Sequence, residues 1–209
     1  ILAASGQIPA TDRLLDTLVT GELSLEGKIR PVKGVLSMAI AAAKHRFAAM
    51  AVPRENAEEA AAIQSVQVVP VTDLKELVAW CKGLMDIEQA AASSRREESA
   101  KSGGNLAEVK GQLGAKRALE LAAAGGHNLL MVGPPGSGKT MLANCLPSIL
   151  PPLDSEQSLE VSQIYSVAGL LPHGRLVTEP PFRSPHHSAS LGGIVGGGAV
   201  PRPGEISLA

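Results

Sequence analysis

The eight residues from Gly133 to Thr140 read Gly-Pro-Pro-Gly-Ser-Gly-Lys-Thr and match the pattern G-x-x-x-x-G-K-T. In this pattern the glycines let the backbone bend tightly and bring its N–H groups close to bound phosphates. The ammonium group of Lys139 places a positive charge between the β and γ phosphates, and the hydroxyl of Thr140 is a ligand for Mg²⁺. The segment therefore predicts a site for a nucleoside triphosphate and its magnesium ion.

The sequence on either side of this loop has the elements that the motif requires. The apolar run 129–132 predicts a buried parallel strand before the loop, and residues 141–146 predict a helix after it, which Pro147 ends. A helix N-terminus that follows the loop presents its free N–H groups to the same anion. The glycine spacing does not fit G-x-G-x-x-G, so a dinucleotide site is not expected.

The Pro134-Pro135 form of the loop resembles that of AAA+ ATPases, and no N-K-x-D sequence for guanine occurs in the chain. The segment 106–112 is similar to the stretch that surrounds adenine in this family, although an ordinary helix entry is the alternative interpretation. The resemblance implies ATP as the nucleotide, with Lys139 and Thr140 in hydrolysis and Thr140 on the metal. The predicted nucleotide-binding residues are Val109, Lys110, Gln112, Gly133, Pro134, Pro135, Gly136, Ser137, Gly138, Lys139, Thr140 and Met141.

Composition limits the class of protein. Of the 209 residues 44% are apolar but only 2% are aromatic, so we expect a core of Ala, Leu, Val and Ile. The formal net charge of −1 provides no overall attraction for nucleic acid. Cys81 and Cys145 lack metal-site spacing and predict buried thiols in a reducing compartment, hence a cytoplasmic protein. No stretch is long and apolar enough to predict a membrane span.

The polar segment 86–104 predicts a linker between two domains, residues 1–85 and 105–209. In the first domain we expect a hairpin from segments 22–25 and 28–30, then a helix at 35–46, a strand at 49–53, a helix at 57–64 and a strand at 66–71. Asp73 is a predicted N-cap for a last helix that reaches residue 83, and Glu76 is placed to complete a capping box. This alternation predicts an α/β domain.

The segments Thr20–Gly34 and Val52–Asn56 resemble the proteolytic domain of Lon proteases, and the similarity covers most of residues 18–80. Peptidases of this type use a serine that is activated by a lysine with a lowered pKa. The resemblance places that lysine four residues after Gly34, where this chain has Met38, which cannot accept a proton. We therefore expect a Lon-like domain without proteolytic activity.

The second domain continues with a predicted helix over 112–124 and another over 156–168, the latter capped by Asp154-Ser155. The glycines from 192 to 198 predict a flexible hinge rather than a second phosphate site. The pair His186-His187 is assigned to loop packing, to a DNA or subunit contact, or, least favoured, to zinc. Neighbouring side chains on an extended chain point in opposite directions, which disfavours a shared metal ion.

Three segments resemble the magnesium-chelatase-like AAA+ proteins: 123–128, 181–188 and 201–209. With the Lon-like part, the fold class implied is a Lon-protease-like α/β domain followed by a truncated P-loop AAA+ parallel-sheet α/β domain. No acidic Walker B strand follows the loop, so we expect this sequence to be part of a longer protein and inactive in hydrolysis by itself.

The resemblance implies a hexameric, ATP-driven DNA helicase that promotes branch migration during natural transformation. Because aromatic residues are scarce, we expect DNA contact through phosphates, with Arg175, Arg183 and Arg202 as candidates. The main competing function is a magnesium-chelatase ATPase subunit that drives metal insertion into a tetrapyrrole. The sequence also leaves open an ATP-dependent protease, which Met38 opposes, and a nucleotide-binding scaffold without turnover.

Overall fold

The computed structural model describes residues 2–91, 104–172, 175–199 and 201–209, which form two compact units. The first unit comprises residues 1–94 and 159–177, and the second comprises residues 95–158 and 178–209. The predicted division, 1–85 and 105–209, assigned residues 159–177 to the second domain, whereas their contacts place them in the first unit. Most of the predicted linker lies outside the described residues.

The first unit is built on a three-stranded parallel sheet, as expected for an α/β domain. Its strands lie in the order β1 (Thr17–Val19), β4 (Ala49–Pro53) and β5 (Gln67–Val71), with Met50 opposite Leu18 on one side and Val68 on the other. A short antiparallel hairpin of β2 (Glu22–Leu23) and β3 (Ile29–Arg30) lies between β1 and the first long helix in sequence. The elements are α1 (Asp12–Leu15), β1 (Thr17–Val19), β2 (Glu22–Leu23), β3 (Ile29–Arg30), α2 (Val35–Lys44), β4 (Ala49–Pro53), α3 (Ala57–Ala60), β5 (Gln67–Val71) and α4 (Leu74–Cys81).

Two apolar clusters form the core of this unit. One contains Val35 and Ala39 of α2 with Met50 and Val52 of β4, and every residue of β4 is buried, which is typical of a central parallel strand. The other contains alternate residues of β4 and β5 with Trp80 and Cys81 of α4. The prediction of a core of Ala, Leu, Val and Ile holds for most of the buried apolar residues, and the core also contains Met50 and the sole tryptophan of the chain, which is 4% exposed.

The predicted Asp73 cap of α4 is confirmed, whereas Glu76 reaches back to Thr72 and not to the N-cap residue itself. The Asp73 carboxylate accepts a hydrogen bond from the backbone N–H of Glu76 at 2.9 Å, and the Glu76 carboxylate accepts one from Thr72 N–H at 2.7 Å. The predicted helix 57–64 is shorter than expected, since α3 ends at Ala60 after a 3₁₀ turn over Arg54–Asn56. The hairpin is also shorter, with two residues in each strand.

The described part of the second unit consists of helices and one small antiparallel pair of strands. Its elements are a 3₁₀ turn (Leu106–Glu108), α5 (Leu113–Gly125), α6 (Lys139–Asn144), a 3₁₀ turn (Leu146–Ile149), the first residues of α7 (Ser155–Ala168), α8 (Leu191–Val195), β6 (Gly196–Gly197) and β7 (Arg202–Pro203). Helices α5 and α7 confirm the sequence predictions. Asp154 caps α7 by accepting from Gln157 N–H at 2.8 Å.

The strand expected at residues 129–132 is the main error of the sequence prediction for this unit. These residues form no ladder with any described residue, and Leu130 and Val132 are 86% and 88% exposed. A parallel strand needs a neighbouring strand to accept and donate its backbone hydrogen bonds, and none lies beside this run in the described residues. The described part of this unit therefore lacks the expected parallel sheet.

The glycine-rich segment 192–198, predicted as a flexible hinge, is instead largely part of regular elements. Ser190 caps α8 by accepting from Gly193 N–H at 3.1 Å, and Gly196 and Gly197 pair with Pro203 and Arg202. The backbone passes so close here that a Cβ on Gly204 would lie 2.3 Å from the Gly196 nitrogen.

Both cysteines are free and buried, as predicted: Cys81 in the first unit and Cys145 in the second. Burial raises the pKa of the Cys81 thiol. None of the helices in the described part of the chain combines the length and hydropathy that crossing a membrane requires.

Candidate functional site

The loop Gly133–Thr140 connects an exposed segment to α6, and two of its glycines have backbone angles that favour glycine. Gly136 has φ 78° and Gly138 has φ 84°, so both lie in the left-handed region. Gly138 is the N-cap of α6, which begins at Lys139. The turn Pro134–Ser137 is closed by a hydrogen bond from Ser137 N–H to Pro134 O at 3.3 Å. The first turn of α6 leaves N–H groups for an external acceptor, which an anion would satisfy.

The Lys139 ammonium lies over the loop itself. It donates to the carbonyl oxygens of Gly133 and Pro134, both at 2.8 Å, and to the Ser137 hydroxyl at 3.2 Å. These are the neutral acceptors that a phosphate would replace with charged oxygens. The geometry therefore holds one positive charge over the loop, directly before the first turn of α6.

Thr140 is exposed in the first turn of α6, next to the lysine. Mg²⁺ prefers oxygen ligands and usually keeps several waters with one or two protein groups plus phosphates. A single hydroxyl beside the loop fits this requirement. Across the described ranges, no three or more His, Cys, Asp or Glu residues are grouped to hold a metal ion.

The structure brings only one of the predicted base-contacting residues to the loop. Gln112 has φ 55° at the start of α5, and its side-chain amide donates to Ser137 O at 3.4 Å. Lys110 is exposed, whereas Val109 is 7% exposed and packs with Leu106, Leu119, Leu142 and Cys145. The role of these residues in binding adenine stays a prediction. Met141, also predicted, is exposed on α6, where its terminal methyl group lies near Gly138.

A separate cavity of about 350 Å³ lies in the second unit. None of its lining residues belongs to the loop 133–140, so it is distinct from the predicted nucleotide site. Its walls are mostly apolar, with the rest contributed by polar groups of the segment after α5. The lining residues are Leu119, Ala122, Ala123, Gly126, His127, Asn128, Leu129, Met131, Ala143, Leu146, Leu150 and Phe182.

Two of the three arginines proposed for DNA phosphates have carboxylate partners. The Arg183 guanidinium donates to both carboxylate oxygens of Glu205 at 2.6 Å, and this pairing holds the pKa of Glu205 below its ordinary value. Arg175 contacts Glu58 at 3.4 Å within the first unit. Arg202 is exposed on β7. The sequence analysis did not predict that Glu205 pairs with Arg183, although both residues lie in segments that resemble the magnesium-chelatase-like proteins.

The two histidines do not point in opposite directions, so the prediction for this pair is wrong on geometry. A turn at His187-Ser188 brings the rings of His186 and His187 to a centroid distance of 4.1 Å. The local chain is not extended: Ala189 N–H donates to His186 O at 2.9 Å. His186 Nδ1 lies 2.7 Å from the Ser188 hydroxyl, so one ring nitrogen has a local partner.

Met38, which stands where the Lon resemblance predicts a lysine, lies on α2 and is half-buried. Its sulfur accepts a hydrogen bond from the Thr20 hydroxyl at 3.2 Å. A thioether is a weak acceptor and has no proton to exchange. The absence of proteolytic activity stays a prediction, and the geometry around Met38 supplies no base at this position.

Comparison with known proteins identifies relatives along the whole chain. The family described as magnesium chelatase, subunit ChlI, matches residues 105–209, and a second model, subunit ChlI of Mg-chelatase, matches residues 1–56. The protein YifB of Salmonella typhimurium is 44% identical over 209 residues, covering 100% of this chain and 40% of YifB. The competence protein ComM of Haemophilus influenzae is 39% identical over 212 residues, covering 100% of this chain and 41% of ComM. A Mycobacterium tuberculosis protein is 44% identical, again with 41% of its length covered.

The chain thus spans about two-fifths of the length of these relatives, from 40% to 41%. The family match includes the phosphate loop, α5, α6 and the Arg183–Glu205 pair. Taken with the matches along the full chain, it shows that the chain belongs to the magnesium-chelatase family described by subunit ChlI, as a protein of the YifB/ComM type.

Proposed function

We propose that this chain binds ATP with Mg²⁺ at the loop Gly133–Thr140 and belongs to an AAA+ motor that hydrolyses it. The observation that carries the proposal is the Lys139 ammonium, held by two loop carbonyls and one hydroxyl at the start of α6. This arrangement keeps a charge where phosphates bind and exchanges neutral acceptors for charged ones on binding. Family membership supports ATP and ATPase activity.

The finer architecture is also our proposal: a Lon-protease-like domain without proteolytic activity, followed by an AAA+ domain. The loop Gly133–Thr140, with α6 directly behind it, supports the second part. The parallel sheet β1-β4-β5 with its hairpin supports the first part. A cytoplasmic location is proposed from the two free, buried thiols.

We further propose that the motor is a hexameric DNA helicase that promotes branch migration in natural transformation. The relative ComM is named a competence protein, and the identity to it extends over the whole chain. Contact with DNA phosphates is assigned to Arg202 first, because it is exposed, whereas Arg183 is neutralised by Glu205. The full-chain similarity to YifB and ComM, including the first unit, favours this motor over a chelatase subunit.

The proposal is tested on the full-length gene product with a synthetic four-way DNA junction. ATP hydrolysis is measured with and without the junction, and branch migration is followed by separation of labelled strands. We expect DNA to stimulate hydrolysis and Lys139→Ala to abolish both activities. Lys116→Ala removes a lysine of α5 outside the loop and is the matched control. A hydrolysis rate that does not respond to DNA, with no strand separation, would refute the motor while leaving nucleotide binding intact.

A further inference from the structure

Three consecutive basic residues stand at the end of α2, within the first unit: Lys44, His45 and Arg46. All three are exposed. None of their side chains forms a hydrogen bond, an ion pair or a ring contact with a residue in the described part of the chain. We call this group the α2 basic end. Its lysine and arginine charges are available for an external anion.

Arg46 has a backbone conformation that favours glycine. Its φ of 60° lies in the left-handed region, which costs free energy for a residue with a Cβ. Arg46 N–H donates to Ala43 O at 3.0 Å. The next residue, Phe47, donates its N–H to Ala42 O, also at 3.0 Å. This pair of hydrogen bonds is a common helix ending, in which glycine usually occupies the left-handed position.

Helix α4 of the same unit ends with the same hydrogen bonds but has glycine at that position. Gly83 N–H donates to Trp80 O and Leu84 N–H donates to Ala79 O, both at 3.0 Å. The φ of Gly83 is 71°. Because the two helix ends share one geometry, the backbone does not require an arginine after α2. The side chain of Arg46 therefore needs an explanation other than the fold.

A second non-glycine residue with positive φ indicates what that explanation is. Gln112 has φ 55°, and its side-chain amide donates to Ser137 O in the phosphate loop. Residues held in unfavourable backbone conformations cluster at binding and catalytic sites, where their side chains are needed. Arg46 shares the conformation and has an exposed, charged side chain, which is consistent with a binding role of its own.

We propose that the α2 basic end binds the phosphate backbone of DNA. The planar guanidinium of Arg46 can donate two parallel hydrogen bonds to one phosphate, and the Lys44 ammonium adds a point charge. The exposed residues on either side, Ala41 and Ala48, are small and leave room for a broad polyanion. The inference rests on the proposed function in one respect, that the protein acts on DNA.

Two other uses of this surface fit the observations less well. A protein interface buries aromatic or large aliphatic side chains at its centre, and none of the residues 41–48 is an exposed side chain of that kind. Cations also stabilise a helix C-terminus through the macrodipole. That effect accounts for Lys44 in the last turn of α2, but it does not require a left-handed arginine after the helix.

The test is binding of a fluorescein-labelled DNA duplex to the full-length protein, followed by anisotropy at several salt concentrations. Arg46→Gly removes one charge and gives the left-handed position to glycine. One lost phosphate contact should weaken binding about eightfold at about 0.1 M salt and reduce the slope of log K against log salt by about 0.9. Amide exchange at residues 42–47 should become slower, because glycine relieves the backbone strain. A residue that only supported the fold would not weaken binding while protecting the helix end.

Three variants isolate the charge and its position. Arg46→Lys keeps the charge and the left-handed residue, so its salt slope should equal that of the wild type. Lys44→Gln removes the second charge of the surface and should reduce the slope by about 0.9 as well. Lys82→Gln removes an exposed lysine from the corresponding end of α4 and should bind DNA as the wild type does.

The possible failures are distinguishable. If the wild type does not bind the duplex, the proposed DNA motor fails and this inference fails with it. If the wild type binds and Arg46→Gly binds equally well at every salt concentration, the α2 basic end does not contact DNA, and the proposed motor is unaffected. If Lys82→Gln weakens binding as much as Arg46→Gly does, overall charge and not this surface attracts DNA.

Discussion

Replacement of Lys139 is the most direct test of the nucleotide site. Lys139→Met keeps an unbranched side chain of similar length but removes the charge and the three hydrogen bonds to Gly133, Pro134 and Ser137. The glycine angles of the loop and the start of α6 should persist, since they depend on the backbone of Gly136 and Gly138. The variant therefore isolates the contribution of the ammonium group.

The magnitude follows from the exchange of partners on binding. Two hydrogen bonds from an ammonium group to phosphate oxygens stabilise the complex by about 1.5–3 kcal/mol each, or roughly 3–6 kcal/mol together. The three hydrogen bonds that are given up, to Gly133 O, Pro134 O and the Ser137 hydroxyl, have neutral acceptors, and their loss offsets about 2 kcal/mol in total. The net loss in Lys139→Met is then roughly 1–4 kcal/mol, which weakens binding about 5- to 700-fold.

Isothermal titration calorimetry of the full-length protein with the magnesium complex of a non-hydrolysable ATP analogue measures this change. Lys116→Met is the control, because it makes the same substitution outside the loop. The reasoning would be refuted if Lys139→Met and Lys116→Met bound the nucleotide with equal affinity. Binding that is lost equally in both variants would indicate general electrostatic attraction rather than a site.

Three further predictions concern the elements that support the site. Gly204→Ala would place a Cβ 2.3 Å from a backbone nitrogen of β6 and should destabilise the β6-β7 hairpin by about 1–3 kcal/mol. Gly192→Ala meets no atom within 4 Å and should stabilise α8 by about 0.5–1 kcal/mol. Amide exchange at residues 204–208 should become faster in Gly204→Ala and slower in Gly192→Ala. Because Arg183 lowers the folded-state pKa of Glu205 below its ordinary 4.5, the stability that the pair provides is present above about pH 4.5 and is lost as pH falls through the folded value. The protection of the hairpin amides, measured relative to their intrinsic exchange rate at each pH, should therefore fall in acid, and Arg183→Met should remove this dependence. Asp73→Ala should cost about 0.5–2 kcal/mol in thermal or urea unfolding followed by the single tryptophan, and Asp73→Asn should cost less; equal losses in the two variants would contradict the capping role.

Elements whose signals are local were predicted well from the sequence. Strand β4 has the expected bounds, and α2, α4, α5 and α7 lie where periodicity and capping residues place them. The caps at Asp73 and Asp154 each depend on a partner three residues away, which a single sequence displays. The loop around Lys139 was recognisable for the same reason, since its glycines, lysine and threonine are contiguous.

The errors concern interactions between residues far apart in the chain. A run such as Leu129–Val132 has the apolar pattern of a strand, but a parallel strand exists only where another strand accepts its hydrogen bonds. The hydrogen bond from the Ser166 hydroxyl to the Glu59 carboxylate joins positions 107 apart, and no local pattern marks either residue. The prediction that the His186 and His187 side chains point in opposite directions was wrong, because it assumed an extended chain and the structure has a turn here.

The positions of the two free thiols have a practical consequence. Cys81 and Cys145 are 3% and 1% exposed and lie in different units, so a modifying reagent reaches each of them only when its own unit opens. Labelling rates read separately at the two sulfurs therefore measure two opening equilibria in one unmodified sample. If a nucleotide slows alkylation at Cys145 alone, it stabilises only the second unit against opening. If it slows alkylation at both cysteines, it also stabilises the first unit.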